Sequence, residues 1–411
     1  MGRHPLAAGA ALEPGPEIFT GRFDRPGLEK QLELACNARR GSLILRPHPP
    51  PFMADQDDYD KDNPMELGIY TFGEINQHPD GKATTDTTAR LTQLVQLARK
   101  ADQGGLDVIA LGEHHRPDFT LSAPEVVLGA MASVTERIRL TSGVTVLSSQ
   151  DPVRVYQQYA TLDHLSHGRA EIVAGRGAFT ESFPLFGYDL AQYDELFDEK
   201  LKMLLQIRDE EVVTWHGRHR ALLDQAPIVP RAKQEPLPVW VAIGGTPASA
   251  MRAGMLGLPM IMGFFTGPEQ FVPRVELYHR AAEQAGHDPA KLRLGASGHM
   301  FIGKTSQGAR DSFYPYYAEY LRQMGMTRGG TFPRQAFDQW IQHGLPVGSP
   351  QQVIEEILKR VELLGIDRFL GQIDVGNLPW AMVNESLELF MTEVLPVVKR
   401  ETAATPAPRG A

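Results

Sequence analysis

From Met65 onward the apolar positions switch between two periods. Short apolar runs, too brief for buried helices, alternate with longer stretches whose apolar residues recur at i, i+3 and i+4. The runs predict strands at about 66–71, 107–112, 138–147, 170–174, 239–243, 260–264, 292–303 and 368–375. The longer stretches predict helices at about 87–104, 124–135, 153–166, 192–208, up to 256, 268–285, 307–325, 350–364 and 383–398. In the first helix Leu91, Leu94, Val95, Ala98 and Ala101 share a face and Gly104-Gly105 ends it; in the fourth the stripe is Leu196, Phe197, Leu201, Leu204 and Leu205. Asp151-Pro152 is a helix-start signal. Residues 212–236 read as a small β excursion, and 326–348 as an irregular insertion rich in Gly and Pro. Eight strands, each followed by a helix, imply a parallel sheet. The count favours a closed (β/α)8 TIM barrel of the α/β class over an open doubly wound sheet. No repeat of 20–50 residues is present, which excludes a solenoid.

Residues 1–64 do not share this pattern. Pro5, Pro14, Pro16, Pro26, Pro47, Pro49, Pro50, Pro51 and Pro64 punctuate them, and the acidic stretch DQDDYDKD spans 55–62. Apart from a possible short helix at 28–40, they read as a largely disordered extension. Met65 opens the first clean strand and is itself a candidate start. The barrel is expected over 65–400, with a disordered tail at 401–411. At 42% hydrophobic and 22% charged residues, the 411-residue chain is ordinary for a soluble globular protein. A net charge of −9 and a pI near 5.8 argue against a nucleic-acid surface and an anionic membrane surface. Cys36 is the only cysteine, so neither an intrachain disulfide nor a cysteine-based metal site can form, and the chain suits a reducing cytoplasm. No apolar run reaches the ~18–20 residues of a membrane span. The N-terminal residues fit neither a secretory signal nor the myristoylation pattern.

Four stretches carry candidate chemistry, each just past a predicted strand or within one. In VIALGEHHR at 108–116, Glu113, His114, His115 and Arg116 follow the apolar run at the position where barrels build their sites. A solvated loop is the plainer alternative. Adjacent residues of an extended chain face opposite ways, so His114 and His115 should not serve one site. That counts against a two-histidine metal centre, no HExxH pattern occurs, and the reading assigns no metal. His164 and His167 read as a solvated helix end. In GGTPASA at 244–250, Gly244 and Gly245 allow close backbone approach, Thr246 is a good N-cap and Pro247 a good first helical residue. Exposed amides backed by the helix dipole suit an anion, ideally a phosphate; an ordinary capped turn is the alternative. In GRGAFTESF at 175–183, Arg176 between Gly175 and Gly177 either offers its fork to a phosphate or pairs with a local carboxylate such as Glu181. In TSGVTVL at 141–147, Gly143 marks a bulge, a close backbone approach or an edge irregularity. No GxSxG elbow, no Walker loop and no alternation of aromatic with basic residues is present.

Taken in order, MELGIYTFGE, GLDVIALGEHH, RIRLTSGVTVLSSQDPVRVYQQYATLDHLSHGRAEIVAGRG, FPLFGYDL, PVWVAIGGTPASAMRAGMLGLPM, PVGSPQQVIEEI and GIDRFLGQIDVG resemble the bacterial-luciferase-like flavin monooxygenases, over about Met65 to Arg400. The resemblance implies a (β/α)8 barrel with reduced FMN at the C-terminal mouth of its strands, reacting with O2. It makes His114 the active-site histidine and Glu113 the flavin-adjacent glutamate. Gly143 and Val144 match the bulge, often a cis peptide, against which the isoalloxazine leans. Arg176 matches a flavin-phosphate arginine, Gly175 stands where luciferase has its reactive cysteine, and Gly244, Gly245 and Thr246 fall on the phosphate loop. The family also implies a homodimer through helices beside the second and third strands.

The chain departs from luciferase in four places. Gly244 and Gly245 replace acidic and hydroxyl side chains, Asp194 replaces a second phosphate arginine, Gly175 replaces the cysteine, and the insertion at 326–348 is a shorter lid. These departures count against aldehyde oxidation and light emission but not against flavin binding, because backbone amides can replace the lost side chains. The expected function is thus a cytoplasmic monooxygenase using reduced FMN and O2 on a small organic substrate. A separate flavin reductase would supply the cofactor, since no GxGxxG fingerprint follows a strand. A deazaflavin-dependent oxidoreductase transferring hydride is the alternative cofactor reading, and a non-catalytic flavin-binding protein the alternative class. In the catalytic readings the imidazole of His114 acts as general base or hydrogen-bond donor beside the flavin.

Overall fold

The computed structural model describes residues 65–75, 79, 85–177, 179–263, 267–327 and 330–404. The expected extension at 1–64 and residues 405–411 of the expected tail lie outside the described residues. Strands follow in the order β1 (Glu66–Thr71), β2 (Val108–Leu111), β3 (Arg139–Ser142), β4 (Thr145–Val146), β5 (Ala170–Gly175), β6 (Val212–Trp215), β7 (Leu223–Pro227), β8 (Val239–Ile243), β9 (Met260–Gly263), β10 (Leu294–His299), β11 (Phe301–Ile302), β12 (Val347–Gly348) and β13 (Arg368–Gln372). Parallel pairing runs β1–β2–β3–β5–β8–β9–β10–β13 and returns from β13 to β1, so the eight-stranded barrel closes. β6 and β7 form the separate antiparallel excursion.

Each barrel strand is covered on both faces, which explains its nearly continuous apolar run. Leu67, Ile69, Ile109, Leu111, Leu140, Ile172, Met260 and Leu294 belong to the main core, against the surrounding helices. The alternate positions Val108, Ala110, Val173, Trp240, Ile261 and Leu370 form a second, smaller apolar cluster inside the barrel.

Several boundaries differ from the sequence expectation. The run expected as one strand at 138–147 is interrupted by a cis Gly143-Val144 bond between β3 and β4, and Leu147–Ser149 is a 3-10 turn. The run at 292–303 divides into β10 and β11, because Met300 N donates to Gln372 O on β13 and β11 then pairs with β12. The insertion at 326–348 is not irregular throughout. Arg334–Gln342 is a helix that buries Phe337 and Ile341 and sets Phe337 against Tyr314 and Tyr317. Its nine residues, flanked by Gly and Pro, are too short for the helical period to stand out. The last helical stretch runs from Trp380 to Ala404 through a π turn at Phe390–Val394, longer at both ends than expected.

The N-terminal end of the barrel is filled by charge. Arg368, at the start of β13, donates from Nη1 and Nη2 to both Glu171 carboxylate oxygens on β5 (2.6 and 3.1 Å) and from Nε to Glu66 on β1 (2.7 Å). Arg293 donates to the same Glu66 oxygen at 2.8 Å, and Arg139 on β3 lies 3.2 Å from Glu171. The Arg368 guanidinium stacks 4.3 Å from the Trp240 ring. Burial pushes the Glu66 carboxyl up, but Arg368, Arg293 and Arg139 outweigh it and hold its pKa at about 2, below the ordinary 4.5 of a glutamate. Removing one partner leaves a buried carboxylate uncompensated. Arg368→Met is therefore expected to lower unfolding free energy by about 3–5 kcal/mol in a urea titration. Because the folded pKa of Glu66 is depressed, its contribution is complete above pH 4.5 and is lost as pH falls through about 2. A flat stability profile across that window would show that the cluster is not coupled to folding.

Candidate active site at the C-terminal mouth

Consecutive strands of the barrel give way to glycine at the C-terminal mouth. Gly143 follows β3, Gly175 ends β5, Gly244 follows β8 and Gly263 ends β9, and these four strands are neighbours in the sheet. This arc of wall presents backbone rather than side chains, the surface a planar ring system can lie against. At Gly175 the space is already taken, since a Cβ there would sit 2.6 Å from Val144 Cγ2. Val144 is thus held over β5 beside the cis Gly143-Val144 bond.

His114 stands beside this arc, on the loop after β2. Its backbone N donates to Leu121 O at 2.9 Å and only 7% of the residue is exposed. The imidazole packs among Phe119 (4.5 Å), Phe72 (4.7 Å) and Phe179 (4.9 Å between ring centroids). Its Nδ1 lies 2.9 Å from Glu181 Oε1. Half-burial pushes the Glu181 carboxyl up, but the hydrogen bonds from His114 and from backbone N–H groups outweigh this and leave it below its usual range. An ionised carboxylate accepts only, so His114 Nδ1 donates to Glu181. Glu181, in sequence reach of Arg176, pairs instead with His114.

Glu113 faces the other way. It is 3% exposed, and its Oε2 accepts from Val146 N (2.9 Å) and Gln150 Nε2 (2.7 Å) while Oε1 meets His115 Nε2 at 2.9 Å. The structure therefore joins Glu113 to the bent β3–β4 segment and to His115, and not to His114. The two histidines serve separate partners, as the alternation of side chains requires.

A second cluster brings together Arg176 and the loop after β8. Arg176 Nη2 donates to Ser249 Oγ (3.1 Å) and Thr246 Oγ1 (3.3 Å), and Nη1 pairs with Asp194. Thr246 occupies the N-cap position of the helix Pro247–Met255, but its hydroxyl does not cap; it bonds Ser249 Oγ at 2.7 Å. The expected cap is thus replaced by a hydroxyl pair that serves the guanidinium. Gly245 takes φ +108°, open to glycine and strained for other residues, and its carbonyl accepts from Arg274 Nε at 2.9 Å. Ser249 and Arg274 went unnoticed in the sequence. Ser249, at i+3 from Thr246 on a helix start, carried a readable signal; Arg274, on the next helix, carried none.

Buried polar groups lie after β1 and β13. Glu74 accepts from Gln372 Nε2 (2.9 Å) and Gly376 N, and Asp374 accepts from Thr71 Oγ1 at 2.6 Å. Burial, with Asp374 nearby, pushes the Glu74 carboxyl well up. Burial lowers the His299 pKa to about 3, so its imidazole is neutral; its Nδ1 lies 3.0 Å from Tyr317 OH.

Known proteins resemble the chain over most of its length. A family model described as luciferase-like monooxygenase matches residues 65–368. The alkanal monooxygenase alpha chain of Photorhabdus laumondii is 24% identical over 340 residues, covering 76% of this chain and 94% of its own. The oxygenating constituent of 3,6-diketocamphane monooxygenase from the CAM plasmid of Pseudomonas putida, solved with FMN, superposes with a TM-score of 0.65 at 21% identity, over 81% of this chain and 98% of that one. An F420-dependent secondary alcohol dehydrogenase gives 0.63 at 20% identity, over 82% and 99%. These two structural likenesses speak to the fold alone.

The His114–Glu181 contact makes a direct prediction. Imidazole 15N shifts should place the His114 proton on Nδ1 in the unaltered protein. In Glu181→Gln, whose amide can donate, the Nε2–H tautomer should gain population. An unchanged tautomer would show that Glu181 does not set it.

Proposed function

The chain belongs to the luciferase-like monooxygenase family, and from that premise we propose that it uses reduced FMN and O2 to oxidise a small organic substrate, with a separate reductase supplying the reduced flavin. The glycine-ended arc of β3, β5, β8 and β9 carries this reading, because an imidazole follows the adjoining strand β2 and phosphate-type donors follow β5 and β8 within the arc. The residues present fit FMN. The glycine-ended arc, with Val144 over Gly175, suits the isoalloxazine, and the Arg176 guanidinium with the Thr246 and Ser249 hydroxyls suits the phosphate. Bound reduced FMN would supply the two electrons that let one atom of O2 enter the substrate and the other leave as water.

The chain's own residues bind, orient and exclude water. Arg176, Thr246 and Ser249 hold the phosphate end, and Gly143, Val144 and Gly175 shape the wall for the ring. His114, its proton fixed on Nδ1 by Glu181, presents Nε2 to accept a proton at the reacting centre. Phe72, Phe119 and Phe179 keep water from the imidazole and lower the local dielectric, which strengthens its bond to Glu181. Glu113 acts as a strut for the His114 turn rather than as a second reacting group.

An anaerobic titration with FMN, reduced FMN and the reduced deazaflavin, followed by mixing with O2, tests this reading. Selective binding of reduced FMN and rapid O2 consumption are expected. Preference for the deazaflavin without oxygen uptake would move the assignment to hydride transfer, and binding of none would sink the flavin reading. His114→Ala should keep the flavin dissociation constant and lose roughly 10²–10⁴-fold in turnover, the usual contribution of a positioned base. Unchanged turnover would remove His114 from the reaction.

A further inference from the structure

Arg176 is committed within the chain itself. Nη2 serves two neutral hydroxyls, those of Thr246 and Ser249, the guanidinium lies 5.0 Å from the Tyr193 ring, and Nη1 meets Asp194. Asp194 is the acidic partner of this cation. It stands in the first turn of the helix Tyr193–Asp209, where the helix dipole also favours an anion, and its side chain is 69% exposed. The carboxylate therefore sits on the solvent side of the pair, while Ser249, at 2% exposure, lies beneath it.

Arg274 approaches the same loop from the helix Val272–Ala285. Nε donates to Gly245 O at 2.9 Å and Nη1 to Gln270 O, both uncharged acceptors, and no carboxylate among the described residues pairs with it. Two guanidinium groups are thus fixed to consecutive residues of one loop, Arg274 to Gly245 and Arg176 to Thr246. One carboxylate answers them. A phosphate monoester brings up to two negative charges and three acceptor oxygens, a closer match to two guanidiniums than a single carboxylate.

We propose that Asp194 is a built-in counter-anion that holds the phosphate's place on Arg176, and that a phosphate monoester binds by displacing it, with Arg274 as the second cation. This rests on the flavin reading above and deepens it. An exposed ion pair is weakly held, so its carboxylate can swing into water when a dianion arrives. The exchange lowers affinity for the phosphate end without touching the ring. Asp194 thereby makes the flavin an exchangeable partner rather than a fixed group.

The test compares FMN with riboflavin, which lacks the phosphate, by flavin fluorescence in the full chain, Asp194→Asn and Arg274→Gln. Asp194→Asn is expected to tighten FMN about 3–10-fold and Arg274→Gln to weaken it about tenfold, a scale set by charge-assisted hydrogen bonds. Riboflavin should be unmoved in both. Inorganic phosphate alone should raise the Tm of Asp194→Asn more than that of the unaltered chain, and that of Arg274→Gln less. FMN binding that is unchanged or weaker in Asp194→Asn would overturn the proposal, making Asp194 a support for Arg176. A phosphate response with the expected order but no flavin binding would uphold the anion exchange and overturn the flavin reading. No difference among the three proteins with either FMN or phosphate would overturn the exchange.

Discussion

Closing eight parallel strands into a barrel encloses a bore that must be filled, and here its N-terminal end is filled with paired charge. Arg368 ties Glu66 on β1 to Glu171 on β5, Arg139 and Arg293 complete the cluster, and the Trp240 ring covers it. Arg368–Glu66 and Arg139–Glu171 join neighbouring strands, and Arg368–Glu171 crosses the bore to fix two that are not neighbours. Buried ions are poor sources of stability but demanding about geometry. With the floor held this way, the strands can end in glycine at the other mouth without loss of register, and every loop of the site hangs from those ends.

The mouth combines two electrical environments. Around His114 the walls are phenylalanine and the single charged partner, Glu181, is half-buried, so one hydrogen bond can decide where a proton resides. Around Arg176 the partners are hydroxyls and an exposed carboxylate, a wetter place where anions can be traded. The first arrangement suits proton handling and the second suits reversible capture.

The barrel was legible because burial on both faces leaves a plain trace in sequence: short apolar runs between amphipathic stretches. So were the glycine loops and Arg176, which lie at strand ends where backbone approach and charge matter together. What stayed hidden was pairing across loops. Glu181 and Asp194 were both within reach of Arg176 in sequence terms, at five and eighteen residues, and spacing could not say that the nearer carboxylate belongs to His114. Thr246 carried the composition of a cap, but Ser249 and Arg176 compete for its hydroxyl and win. The helix Arg334–Gln342 was hidden because two buried positions, Phe337 and Ile341, are too few to establish a period.

Arg176 and Glu181 belong to one short segment between β5 and the helix Ser182–Phe186, yet they reach to opposite sides of the mouth. One touches the loop after β8, the other the imidazole after β2. Six residues, 176–181, therefore supply partners to both sides of the mouth. A single substitution that shifts this segment would therefore disturb the anion cluster and the imidazole together.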